Sequence, residues 1–312
     1  MNIQAFRLLT FFVEPDMKAL SPLDTLALLV VLALWSGNFV ATKIGLNGID
    51  VLFFCGWRFL IAGICGLPFL RMPGKNLSYL LIISLVLGTI HFAFLMYGIR
   101  GAGAGASTIV YQLNVLFGVI LGILLFGEQF SYLRFTCILL AIAGLTVTLW
   151  QKAEFSVSLA LVSVVIAAFI FAYAQIMVKK VKGMPGFAIN TWVNLLAAPQ
   201  MFLLSYIFEG NQWLAISQIP LNSILALLYT SALSGVFAYG FWYYLLQKYP
   251  VGTVLPMTLI VPLNGVLLSV FLLGEVLSPE LAFGGAMILL SVVGIYMHDQ
   301  IKTLNFGRRP RK

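Results

Sequence analysis

The chain has 312 residues, 61% of them hydrophobic and only 9% charged, and its mean hydropathy is +1.03. A soluble domain carries roughly 25% charged residues, so a water-covered globular protein is excluded. The apolar residues come in blocks of about twenty, the length needed to cross a hydrocarbon core about 30 Å thick. The sequence is that of an integral, multi-pass membrane protein.

The net charge of +8 does not signal nucleic acid. Arg308, Arg309, Arg311 and Lys312 close the chain and most other basic residues fall in short links, which suits anionic lipid at a cytoplasmic face. Cys55, Cys65 and Cys137 lie far apart inside apolar blocks and read as buried small hydrophobes. They form no disulfide framework and no metal site, and the sequence calls for no cofactor.

Residues 1–23 form an N-terminal extension. Its apolar stretch from Ile3 to Val13 is too short to span, lacks a cleavage signature and runs into Pro15, so an interfacial helix or a loose extension is expected. Ten spans follow, at 24–44, 50–70, 77–97, 104–126 and 132–150, then 156–178, 187–207, 222–246, 252–273 and 280–297. A basic tail at 299–312 closes the chain. The links carry Gly, Pro or charge, as at Pro73-Gly74, Gly127-Glu128 and Gly274-Glu275.

Counting Lys and Arg by side orients the spans. An inside N-terminus puts Arg7, Lys18, Arg71, Lys75, Arg134, Lys179, Lys180, Lys182, Lys248, Lys302 and the four tail residues in the cytoplasm. Only Lys43, Arg100 and Lys152 fall outside, and Arg58 lies within a span. This follows the positive-inside rule and predicts both termini inside, in the cell (inner) membrane.

A shift of 147 residues aligns the halves without a gap across three helices. Gly88 falls on Gly235, Phe94 on Phe241, Tyr97 on Tyr244, Gly105 on Gly252, Gly118 on Gly265, and Gly127-Glu128 on Gly274-Glu275. Two five-helix repeats, 24–150 and 156–298, must then sit in opposite orientations, because five is odd. Inverted repeats of this kind build secondary transporters with a substrate site at the membrane midplane between the halves. The expected fold is an all-α membrane protein with ten transmembrane helices in two inverted five-helix repeats.

Trp35-Ser36-Gly37-Asn38-Phe39 with Lys43, Trp57-Arg58-Phe59, His91-Phe92-Ala93-Phe94-Leu95 and the paired Gly-Glu motifs resemble the EamA family of the drug/metabolite transporter superfamily. The similarity extends from about residue 24 to 298. It implies a ten-helix transporter, and relatives of this kind export amino acids such as cysteine and O-acetylserine. Phe171, Lys179 and Asn194 stand in the second repeat where Trp35, Lys43 and Arg58 stand in the first, so the charge of Arg58 is not duplicated.

Polar side chains inside spans mark the candidate site, since lipid does not tolerate them. Asn38, His91 and Gln112 are expected to bind substrate opposite Tyr239, Trp242 and Asn264. Gln112 and Asn114 are two apart and point about 200° away from each other, so only Gln112 is assigned to the cavity. Arg58 either holds a substrate carboxylate or bonds helix carbonyls. His91 either couples transport to protons or makes an interhelical hydrogen bond. Pro256 and Pro262 kink the ninth span and are candidates for a gate.

The expected activity is export of a neutral amino acid or derivative. A larger cationic metabolite such as S-adenosylmethionine, or a lipophilic drug, is the alternative cargo. An intramembrane enzyme is the rival from another class, and it lacks parts: the chain has two His, no H-E-x-x-H and no paired intramembrane carboxylates. The partners expected are a small-molecule substrate and membrane lipid but no nucleic acid, with the chain a monomer or a homodimer.

Overall fold

The computed structural model describes residues 21–126, 132–149, 155–210, 219–249, 258 and 260–307. Among the described residues there is no strand, and ten helical rods follow one another. We number them α1 (Pro22–Gly45), α2 (Val51–Cys65), α3 (77–102), α4 (104–126), α5 (Tyr132–Leu149), α6 (Phe155–Lys180), α7 (Gly186–Phe208), α8 (221–248), α9 (Ile260–Leu273) and α10 (Pro279–Gly307). Among the described residues five stretches, at 22–45, 74–102, 159–180, 186–208 and 221–245, are long and apolar enough to cross a membrane, and further shorter helices are also apolar. Leu81, Ile82 and Leu85 on α3 and Leu203, Tyr206 and Ile207 on α7 are exposed. Such faces are stable against lipid, not water.

The rods begin and end for local reasons. Ser21 caps α1 by accepting a bond from the Asp24 amide at 3.2 Å, and Pro22 occupies the first turn, where its missing N–H costs nothing. α2 stops at Cys65, short of the residue 70 expected from sequence, and Pro68 enters a tight turn at Leu67–Phe69 instead. α3 continues to Ala102, past the expected end at 97. It stops where Gly103 takes φ +88°, a conformation open to glycine and strained for other residues. α10 runs on to Gly307, beyond the expected 297. The first residues of the expected ninth span, including Pro256, and the Gly127-Glu128 pair lie outside the described residues.

Packing follows a pseudo-two-fold axis. α2 packs on α7 and α5 on α10, each rod against its own repeat partner. The other contacts come in mirrored pairs, α3–α6 with α8–α1 and α4–α6 with α9–α1. At the α5–α10 crossing a Cβ on Gly144 would stand 2.6 Å from the Gly284 carbonyl oxygen. Small residues at crossings let backbones approach, and this is a main source of helix association in lipid.

The internal likeness extends to a helix irregularity. Ser84–His91 in α3 and Tyr229–Ala238 in α8 are both wound as wider π-turns. Under the 147-residue shift the first segment maps onto Ser231 to Ala238, inside the second. Extra width in one turn frees backbone carbonyls and re-aims side chains, and such bulges recur at functional sites.

Candidate substrate site

The two π-turns lead directly into the centre of the bundle. Residue 92 is Phe and its repeat partner, residue 239, is Tyr, and their ring centroids stand 6.4 Å apart. Arg58 of α2 and Asn194 of α7, the other equivalent pair, both line a cavity of ≈ 20 Å³ together with Phe92, Asn190, Tyr239 and Tyr243. Room of that size holds about one water. Equivalent residues of the two halves therefore meet at one place, where the pseudo-two-fold axis crosses the bundle.

Arg58 is 1% exposed, and its Cζ lies 4.5 Å from the centroid of the Phe92 ring. The aromatic face stabilises the cation without neutralising it. Its Nη1 has no hydrogen-bond partner among the described residues. The Asn190 amide donates to the Gly235 carbonyl at 2.7 Å, an oxygen inside the α8 π-turn, and the Asn194 amide donates to the Asn190 carbonyl at 2.8 Å. Asn190 is absent from the residues singled out by sequence. Its position near the start of α7 hides it, and its spacing of four from Asn194 is the signal that could have found it.

An aromatic group adjoins the cavity. The Trp35 ring lies 5.2 Å from Tyr239 and 5.1 Å from Trp242, and Tyr239 lies 6.0 Å from Tyr243. The indole N–H groups of Trp35 and Trp242 and the Asn38 side-chain oxygen are buried without partners among the described residues. Asn38 follows Trp35 by three residues, so the two share a face of α1.

His91 is fully buried and uses both ring nitrogens. A carbonyl can only accept, so Nδ1–H donates to the Leu87 carbonyl at 3.1 Å. Nε2 then accepts from the Tyr111 hydroxyl at 2.8 Å in the neutral ring. Phe171, standing where Trp35 stands in the first repeat, packs on His91 at 5.3 Å and on Tyr111 at 5.5 Å. α4 is interrupted at Tyr111 and Gln112, where the amides of Gln112, Asn114 and Val115 bond carbonyls three residues back. Gln112 is buried, while Asn114 is half-buried and donates to the Tyr111 carbonyl of its own helix.

The structure thus gathers Trp35, Tyr239 and Trp242, adds Arg58 through Phe92, and sets His91 beside Tyr111. It keeps Asn264 apart. Gly265 of α9 faces Thr108 of α4, with a Cβ position 3.0 Å from the threonine side chain, and Asn264, 100° around the helix, is exposed. Pro262 is buried.

The bundle is tied at both ends. At the end predicted to be cytoplasmic, Asp24 of α1 accepts from Lys248 at 2.8 Å, from Tyr249 at 2.6 Å and from the Ser21 hydroxyl. The Asp24 bond holds the Lys248 ammonium above its ordinary range. At the other end, the Glu275 carboxylate beyond α9 accepts from the amides of Ala104 and Gly105 at 2.8 and 2.9 Å, clamping the start of α4. A Cβ on Gly103 would stand 2.7 Å from that carboxylate. Glu209 at the end of α7 accepts from Leu52 and Phe53 of α2 in the same manner, at 2.8 and 3.0 Å. Also at this end, a cleft of ≈ 750 Å³ is lined by Lys43, Asn47, Arg100, Asn222 and Leu273, among others.

A bundle of apolar rods built as two five-helix repeats around a polar, aromatic centre defines an all-α, multi-pass membrane protein of transporter architecture. The chain belongs to the EamA-like transporter family, which matches it twice, at residues 23–150 and 155–297. It is 30% identical over 298 residues to a probable amino-acid metabolite efflux pump of Escherichia coli (strain K12), covering 93% of this chain and 97% of that one. A protein of the same description from Salmonella typhimurium is 32% identical over 302 residues, covering 92% and 96%. One solved crystal structure, 19% identical, superposes with a TM-score of 0.62 over 89% of this chain and 97% of its own, a likeness of fold. The chain is a membrane transporter, and its surroundings are lipid and a small-molecule substrate.

Proposed function

We propose that this protein exports a neutral amino acid or a close derivative across the cell (inner) membrane by alternating access between its two repeats. The observation that carries the reading is the meeting of repeat-equivalent residues, Phe92 with Tyr239 and Arg58 with Asn194, around one central cavity. A site between the two repeats can open to either side as one repeat rocks against the other, which is how a single-site carrier alternates. The relatives described as amino-acid metabolite efflux pumps point to the same cargo.

In this reading Asn38, Gln112, Tyr239 and Trp242 surround the substrate, and His91 orients Tyr111 against it. The Asp24–Lys248–Tyr249 contact closes the cytoplasmic end, and the Glu275 clamp restrains α4 at the outer end. The wide cleft beside Lys43 and Arg100 is the outer mouth. A small central cavity with both ends tied corresponds to an occluded shape between inward-open and outward-open forms. Pro262, in the first described turn of α9, marks the point about which that helix moves.

The test is counterflow in proteoliposomes. Vesicles preloaded with unlabelled neutral amino acids should accumulate a ¹⁴C-labelled mixture of those amino acids faster than unloaded vesicles, with the protein-free control flat. Repeating the measurement with and without a pH gradient reads the energy coupling. No exchange of any amino acid by correctly inserted protein would refute the assignment of cargo.

A further inference from the structure

We propose that Arg58 is the anion anchor of the central cavity, the residue that holds the carboxylate of the transported molecule. The inference rests on the proposed amino-acid cargo and narrows it, because it makes a free carboxylate obligatory.

Three observations converge on this residue. Arg58 is 1% exposed and lines the central cavity, and its Nη1 has no hydrogen-bond partner among the described residues. A guanidinium stays protonated under all ordinary conditions and carries five N–H donors with no acceptor. An unpaired buried charge is costly to keep, yet the described ion pairs lie elsewhere, Arg100 with Asp50 and Lys248 with Asp24 at opposite ends of the bundle. The Phe92 ring stands 4.5 Å from the guanidinium carbon, which accommodates a cation but leaves its donors available.

The rest of the cavity wall is suited to a zwitterion held by its acidic end. No acidic residue is among the lining residues, so the cavity is electropositive and selects an anionic group. The side-chain N–H donors of Asn190 and Asn194 are turned to backbone carbonyls, which leaves their amide oxygens as acceptors. The aromatic group of Trp35, Tyr239 and Trp242 beside the cavity offers π-faces to an ammonium. Repeat symmetry makes the assignment directional. The partner of Arg58 is the uncharged Asn194, so the cavity has one charged wall and one neutral wall, and a carboxylate has one place to go. The present volume of ≈ 20 Å³ fits a single water, and the anchor is engaged when the surrounding helices part.

The experiment compares acids with their amides. Exchange of the ¹⁴C-labelled neutral amino-acid mixture is challenged with excess unlabelled amino acids or the corresponding amino-acid amides, which keep the ammonium and side chain and lose the charge. Free acids should compete, and amides should compete at least about tenfold less well, as expected for loss of a charge-assisted hydrogen bond. Arg58→Gln should raise the KM for acids about 10- to 100-fold and abolish the acid-over-amide preference. Arg58→Lys should retain part of the preference. Equal competition by acids and amides in the parent, or an unchanged preference in Arg58→Gln, would overturn the anchor while leaving amino-acid transport standing.

A second arm does not need the cargo to be known. Melting of the purified parent and of Arg58→Gln is compared in sodium acetate and sodium chloride at equal ionic strength. The anchor predicts that acetate stabilises the parent and not the variant. The same response in both refutes it, even if the parent exchanges no amino acid and the cargo assignment fails. If Arg58→Gln cannot be purified, Asn194→Asp replaces it. A carboxylate built into the same cavity should occupy Arg58, remove the acetate response and block acids, and an undiminished acetate response in that variant would also refute the anchor.

Discussion

Replacing Glu275 by Gln tests the clamp at the outer end of α4. The carboxylate accepts from two consecutive amides, Ala104 at 2.8 Å and Gly105 at 2.9 Å, which have no partner within their own helix. A hydrogen bond to a charged group contributes about 1.5–3 kcal/mol, and a negative charge at a helix N-terminus adds about 0.3–1 kcal/mol at exposed sites. Glutamine keeps one acceptor oxygen and turns an NH2 group toward the second amide, so one bond and the charge are lost. Glu275 is half-buried, which places the cost in the lower half of the range, about 2 kcal/mol, or roughly 30-fold in an equilibrium. Ser107 lies one turn into α4 and is fully buried. With Cys55, Cys65 and Cys137 replaced, Ser107→Cys should react slowly with a membrane-impermeant maleimide applied from outside, and about 10- to 30-fold faster once Glu275→Gln is added. Glu275→Asp, with a shorter reach, should fall between. Rates equal within a factor of two would show that the carboxylate does not hold α4 and α9 together.

Further outcomes follow from the same geometry. His91→Gln should leave the pH dependence of transport unchanged while lowering the melting temperature, because the neutral imidazole already satisfies the Leu87 carbonyl and Tyr111 hydroxyl; loss of the pH dependence would assign it the proton step. Asn190→Ala strips the buried Gly235 carbonyl of its partner and should cost about 1–3 kcal/mol, read as a lower melting temperature, whereas exposed Asn264→Ala should transport like the parent. Asp24→Asn loses the charge that draws Lys248 and should raise maleimide labelling of a cysteine at Leu28, buried one turn above, from the cytoplasmic side; unchanged labelling would remove Asp24 from the inner closure.

The composition was enough to place the chain in a membrane, and its hydrophobic blocks locate the rods, because burial in lipid leaves each span no choice but helix. Glycine, tyrosine and Gly-Glu matches under one shift revealed the repeat. Sequence periodicity could not show that α3 and α8 are wound wide over equivalent residues, nor that Asn190 of another helix donates to the Gly235 carbonyl inside the second of these turns. Nor could it tell which polar residues within spans face inward. Asn264 and Gln112 are both amides inside spans, and only the packing of Gly265 on Thr108 turns Asn264 outward while Gln112 is buried. Of the charged clamps only Gly274-Glu275 was legible as a motif, and its contact was not. Glu275 stands 171 residues from the Ala104 amide that it caps, and nothing in local sequence joins them.

The central claim is that one cavity serves both sides of the membrane. Asn194 lines that cavity and is 5% exposed, so Asn194→Cys in the background lacking Cys55, Cys65 and Cys137 reports on it directly. The labelling rate with an impermeant maleimide is measured in right-side-out and in inside-out vesicles. The account predicts slow labelling from both sides, with neutral amino acids slowing both rates together. Labelling from one side alone, under every condition in which the protein transports, would contradict it.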